Sequence, residues 1–186
     1  MGNHAVKIVA AVAIAFVSLV NVARSQAPPA APLAVPNPTY VSIPMEITVS
    51  RPAAEVWKRV GKYCDIGEWL QIPCTITSGK DGEVGTVRSI GNEILVGKTE
   101  LSYTYTQPVR EGRPYSLYHG TLEARPVTAT TSKLVYTLVF DNSLLPDDAA
   151  REKDKAQRLA RFTQALKNMK TLAEGSTLPP PPNPTK

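Results

Sequence analysis

Only one segment of this chain, from about Asp147 to Glu174, reads as a long helix, and it follows a series of strands that each need a cover. Leu159, Phe162, Leu166, Met169 and Ala173 recur on one side of it, while its opening (DDAAREKDKAQR) is almost wholly polar. Gly175 stands where a helix of that phase stops. Upstream, Val41, Ile43, Met45, Ile47 and Val49 alternate with Ser42, Pro44, Glu46 and Thr48, the period of a half-buried strand. The same alternation recurs in Leu101, Tyr103 and Tyr105, in Tyr118, Gly120, Leu122 and Ala124, and in Leu134, Tyr136, Leu138 and Phe140. An antiparallel meander with one wet face must bury the other. The long helix is the one element large enough to bury it.

Between the first strand and the meander lies a short helix, with Ser50 to cap it and Pro52 in its first turn. Val56, Trp57, Val60 and Tyr63 fall on its apolar side. Gly67 and Pro73 break up the chain after it. Gly79, Gly82 and Gly85 flank a hairpin, and Gly91-Asn92 separates the short strands Thr86–Ile90 and Glu93–Lys98. The Gly-rich loop lacks the GK[ST] ending and following helix of a phosphate cradle.

The ends predict processing and tethering. Lys7 precedes an apolar run, Ile8 to Val20, and Ser25-Gln26-Ala27 offers small residues at a cleavage site. This is the layout of a secretory signal peptide over residues 1–27, with an uncleaved N-terminal anchor as its alternative. The run is shorter than the roughly 20 residues of a membrane span. A periplasmic or secreted location is expected, with cleavage after Ala27. Prolines then mark a linker over 28–38 and a tail over 176–186, expected to stay out of the core and leaving one domain at 39–175. Of the formal charge of +5, Lys7 and Arg24 leave with the signal, so nucleic acid is not an expected partner. In an oxidising compartment Cys64 and Cys74, the only two cysteines, are expected to pair as a structural disulfide. They are too few, with one distant His119, to hold a metal.

Together the residues resemble the START-like (SRPBCC, helix-grip) superfamily, in its bacterial polyketide cyclase/dehydrase and lipid transport branch. The carriers are Pro52-Ala53-Ala54-Glu55-Val56-Trp57, Trp69, the run from Gly82 through Gly85 to Arg88, and the single helix after Phe140-Asp141. The resemblance implies an α+β fold in which about seven antiparallel strands grip the long helix and enclose an apolar cavity. It implies ligand binding without naming a reaction.

On that footing the expected ligand-binding residues are Trp69, Arg88, Tyr103, Tyr105, Tyr118, Tyr136 and Phe140 on the sheet side. Phe162, Leu166 and Met169 are their counterparts on the helix. Each aromatic also reads as ordinary core filler. Arg88 either meets an anionic group of the ligand or is a surface strand residue paired with Glu93 or Glu100. His119 shares parity with Thr121 and Glu123 and so faces water, which leaves no nucleophile–histidine arrangement and no catalytic residue to name. The reading is a monomeric exported domain binding a small hydrophobic ligand, lipid-like or aromatic, with no cofactor. One alternative is a cyclase/dehydrase using Tyr103 or Tyr136 with Arg88 or Glu93 on an enolisable substrate. Another is an interaction module with a collapsed cavity. No titratable pair is expected inside the cavity, because the apolar parities carry no evident acid.

Overall fold

The computed structural model describes residues 37–109, 112–113 and 115–181. The expected signal segment, most of the proline linker and the last tail residues lie outside these. In chain order the elements are β1 (Tyr40–Val49), α1 (Ala53–Val60), α2 (Ile66–Trp69), β2 (Ile76–Ser78), β3 (Val87–Arg88), β4 (Glu93–Lys98), β5 (Ser102–Thr106), β6 (Tyr118–Pro126), β7 (Ser132–Asp141) and α3 (Asp148–Ala173). The seven strands form one antiparallel sheet in the order β1-β7-β6-β5-β4-β3-β2. The first strand thus pairs with the last along its whole length, from Tyr40 opposite Asp141 to Val49 opposite Ser132.

Burial follows the alternation that defines the strands. In β6 and β7 every second residue from Tyr118 to Ala124 and from Leu134 to Phe140 is buried, so their concave face is continuous. The sheet bends where register shifts, between Leu95 and Gly97 in β4 and between Ile76 and Ser78 in β2; extra residues at such points raise the local twist. The β3–β4 connection ends in a tight turn with Gly91 and Asn92 both at positive φ (61° and 52°), which a primed turn demands.

Against the concave face lies α3, opened by Asp147, whose side chain accepts from the Ala150 amide at 2.7 Å. Phe162, Ala165, Leu166, Met169 and Leu172 are its buried residues. The expected stripe is right except at Leu159, which is exposed. At that level a cavity opens, and Arg158, four residues before Phe162, turns inward instead. Its guanidinium carbon lies 4.5 Å from the Phe140 ring centre.

Cys64 and Cys74 form a disulfide, Cα atoms 5.5 Å apart, which brackets the short α2 that sequence periodicity does not reveal. The proline tail begins later than expected. Leu178 packs against the core, and Gln71, at φ 55°, donates from Nε2 to the Pro179 carbonyl at 2.6 Å. Leu178 brings an apolar side chain to the core just ahead of the proline run. Among the described residues, no helix is long and apolar enough to cross a membrane.

Candidate functional site

The space between sheet and α3 is largely filled. Trp69, Arg88, Tyr136, Phe140, Leu166 and Met169 are each no more than 2 % exposed, and they pack together as core. Edge-to-face contacts join Trp69 to Tyr136, and Tyr136 meets Phe162 with ring centres 4.7 Å apart. Two openings flank this packed centre.

The first cavity, about 380 Å³, lies under the polar half of α3. Tyr105, Tyr115 and Tyr118 wall it from the sheet side, Phe162 from the helix, and Ile66 and Leu70 from α2. Tyr105 reaches this position because Gly120 stands opposite it in β6. A Cβ at Gly120 would fall 2.4 Å from the Tyr105 ring. Arg158 is held by Asp154 at 2.8 Å and lies over the rings of Tyr118 and Phe140, with Arg113 and Arg161 further out at the mouth.

The second cavity, about 560 Å³, lies on the other side of the interior, between α1 and the β4–β5 strands. Its walls are Trp57, Tyr63, Leu95 and Tyr103.

Arg88 separates the two. Its guanidinium carbon is 4.3 Å from the Tyr63 ring centre, 4.7 Å from Tyr105 and 5.7 Å from Tyr103. Nε donates to Glu93 Oε2 at 2.6 Å, and Nη2 lies 2.5 Å from the same oxygen without a well-directed hydrogen bond. Nη1 donates to the Tyr63 carbonyl at 2.6 Å. The other Glu93 oxygen accepts from Gln107 Nε2 at 2.7 Å, and Gln107 in turn accepts from the Tyr115 hydroxyl. A polar chain therefore runs from the first cavity through Glu93 to the centre of the molecule.

Two expectations are corrected here. Arg88 is not a surface residue: it is fully buried, and its partner is Glu93, itself 3 % exposed. An acid does reach the cavity with its charge partner just behind the wall, because Glu93 shares the inward parity of β4 with Leu95. Sequence parity misses this because an acid looks polar whether or not an arginine waits for it.

Charge states follow from burial. The Arg88 guanidinium is held firmly protonated: burial opposes its charge, and the surrounding phenols and Glu93 outweigh that. Burial pushes the Glu93 carboxyl above the usual range, while Arg88 and Gln107 pull it back. Burial also pushes Tyr118 up to about 12 and raises Tyr103, Tyr105 and Tyr136. These phenols are neutral hydrogen-bonding groups near pH 7, and Tyr105 and Tyr136 share one bond, 2.9 Å between hydroxyls. His119 is half-buried, on the opposite parity to Tyr118 and Gly120, and burial lowers its pKa.

Of the ten expected ligand residues, Tyr105, Tyr118 and Phe162 line the first cavity and Tyr103 the second; the other six line neither. Sequence reasoning missed Tyr115, Gln107, Arg158 and Arg161 in the first, and Trp57 and Tyr63 in the second. Extending the helical stripe backward from Phe162 by four residues finds Arg158. Tyr115 sits in a loop between strands, where no periodicity points to it.

A sheet gripping one long helix over a cavity defines a ligand-binding α+β domain. Residues 40–174 match the polyketide cyclase/dehydrase and lipid transport family, and the chain belongs to it. Among solved structures it is similar to a Thermobifida fusca protein solved by NMR, 24% identical, with a TM-score of 0.60, covering 74% of this chain and 97% of that one. It is also similar to a Nitrosospira multiformis protein (21%, TM-score 0.55, 70% and 94%) and to the ZhuI aromatase/cyclase of Streptomyces sp. R1128 (20%, TM-score 0.54, 73% and 94%). At such identities these structures establish the fold. No curated protein matches the sequence.

Proposed function

We propose that the protein is an exported, monomeric carrier that takes a small, flat, largely apolar ligand into the cavity between the sheet and α3. The observation that carries this reading is the ring of Tyr105, Tyr115, Tyr118 and Phe162 around that space, with Arg158 stacked beside it. Apolar area taken from water contributes about 25 cal/mol per Å². Arg158 and Gln107 supply donors for one or two oxygens of the ligand. A volume of about 380 Å³ is near the small end of ligand sites, roughly 300–1,000 Å³, which favours a fused-ring compound over a two-chain lipid. Export is proposed on Lys7, the Ile8–Val20 run and Ser25-Gln26-Ala27.

Native mass spectrometry of protein purified from its own source, followed by extraction, tests the reading. One small molecule of defined mass is expected, on a chain beginning at Pro28. A protein that is always empty and also takes up no planar aromatic probe would overturn it.

One observation favours a second reading, proton transfer on an enolisable ligand. Glu93 lines the cavity, and burial moves its carboxyl toward the range in which a general base works. The raised phenols of Tyr103 and Tyr136 are unsuited to that step. Under this reading Glu93→Gln retains ligand and loses turnover. Under the carrier reading no turnover exists to lose.

A further inference from the structure

The second cavity is larger than the first, lies on the far side of Arg88, and has no part in the reading above. Its floor is aromatic by construction. Trp57 and Tyr103 approach with ring centres 5.6 Å apart, and Tyr63 meets Tyr103 edge to face at 5.5 Å. The α1 helix ends at Gly61, and the Trp57 indole folds over that residue. A Cβ at Gly61 would lie 2.4 Å from Trp57 Cδ2. The rings of Tyr63 and Tyr103 line the cavity, while their hydroxyls are shut off from solvent.

The rim is charged unevenly. Lys58 and Lys62 stand on the α1 side, and among the described residues neither makes an ion pair. Asp81 and Glu100 stand across from them, and Lys98 is engaged with the Gly82 carbonyl at 2.6 Å. A bound molecule would meet an aromatic floor and one cationic edge.

We propose that this cavity is a separate binding site for an aromatic anion, a planar ring system bearing a carboxylate or sulfonate. The rings stack against Trp57 and Tyr103, and the anion lies toward Lys58 and Lys62. This site stands independently of the sheet–α3 cavity, since Arg88 and its three tyrosines lie between them.

The test titrates the full chain with 8-anilinonaphthalene-1-sulfonate and, in parallel, with neutral N-phenyl-1-naphthylamine, mapping the anionic probe by amide NMR shifts. The anion should shift Gly61, Lys62 and Leu95 before Ile90, Gln107 and Arg161. Replacing both exposed lysines (Lys58→Gln with Lys62→Gln) should weaken the anion about five- to tenfold and leave the neutral probe unchanged. Raising salt should mimic that loss. Gly61→Ala, whose Cβ would meet both the Trp57 indole and the Trp57 carbonyl, should weaken both probes. Arg158→Gln should not affect anion binding. Shifts confined to Ile90, Gln107 and Arg161, a loss caused by Arg158→Gln instead, or no binding of the anion in the millimolar range would each overturn the proposal.

Discussion

Arg88 and Glu93 are opposite in sign, adjacent in register across β3 and β4, and removed from water together. A buried ion pair costs its desolvation, and the cost is exposed when one partner goes. Arg88→Met alone should therefore destabilise the fold by about 3–5 kcal/mol, since Glu93 is left buried and uncompensated. The double variant with Glu93→Leu should recover most of that loss, because an apolar pair of similar volume needs no charge balance. Denaturant unfolding of the two variants measures both figures; equal losses would mean that the pair itself holds the centre together. Asp141 is the opposite kind of buried acid. Burial raises its pKa, but Ser116 Oγ (2.5 Å), the Thr39 amide (2.8 Å), and the Ser143 amide and hydroxyl (3.0 and 2.9 Å) together outweigh burial and hold the carboxyl below its usual value. A depressed acid stabilises the fold above its unfolded pKa, about 3.9, and loses that contribution as pH falls through the folded value. The gap in unfolding midpoint between wild type and Asp141→Asn should be widest above pH 5 and should close progressively below pH 4. A constant gap would assign the effect to shape instead of charge.

At the scale of elements, the disulfide matters through α2, which is only four residues long and cannot hold itself together. It nevertheless carries Ile66 and Trp69 into the core, and Leu70 just after it forms part of the cavity wall. Closing a loop of separation 10 stabilises by about 2–3 kcal/mol through the unfolded chain. Cys64→Ser with Cys74→Ser should lose that much, and should blur the near-UV signal of Trp69 more than that of the sheet. The strands β1, β5, β6 and β7 and the helix α3 were legible from their periods, α3 to within a residue at each end, whereas β2 has too few residues to show one and β3 is shorter than expected. The filling of the cavity was not. Alternation says that Tyr136 and Phe140 face inward, and it is silent on whether ligand or another side chain meets them there. Arg88 shows the same gap, because a period of two cannot tell a buried arginine with a partner from an exposed one. Arg158 was hidden by convention, since reading only apolar letters along α3 chose Leu159 and passed over the arginine whose stem lies on the correct face.

At the scale of the whole molecule, the sheet has two edge strands among the described residues, and the long one is β1. Pro44 removes a donor there, and Lys170 Nζ donates to the Thr48 carbonyl at 2.8 Å while the Ser50 amide donates to Glu174 at 2.9 Å. Proline on an edge is a barrier to strand addition. Pro44→Thr should leave the fold intact and raise self-association in sedimentation runs; an unchanged sedimentation coefficient would mean that the neighbouring side chains suffice. The pairing of β1 with β7 has a consequence in time. A chain made from its N-terminus carries Tyr40–Val49 without a partner until Ser132–Asp141 has been synthesised, and without its α3 cover until Ala173. Folds dominated by such distant pairings form in milliseconds to seconds. The first strand therefore waits, unpaired, for a partner made much later, so whatever receives the emerging polypeptide meets an extended thread before it meets a folded domain.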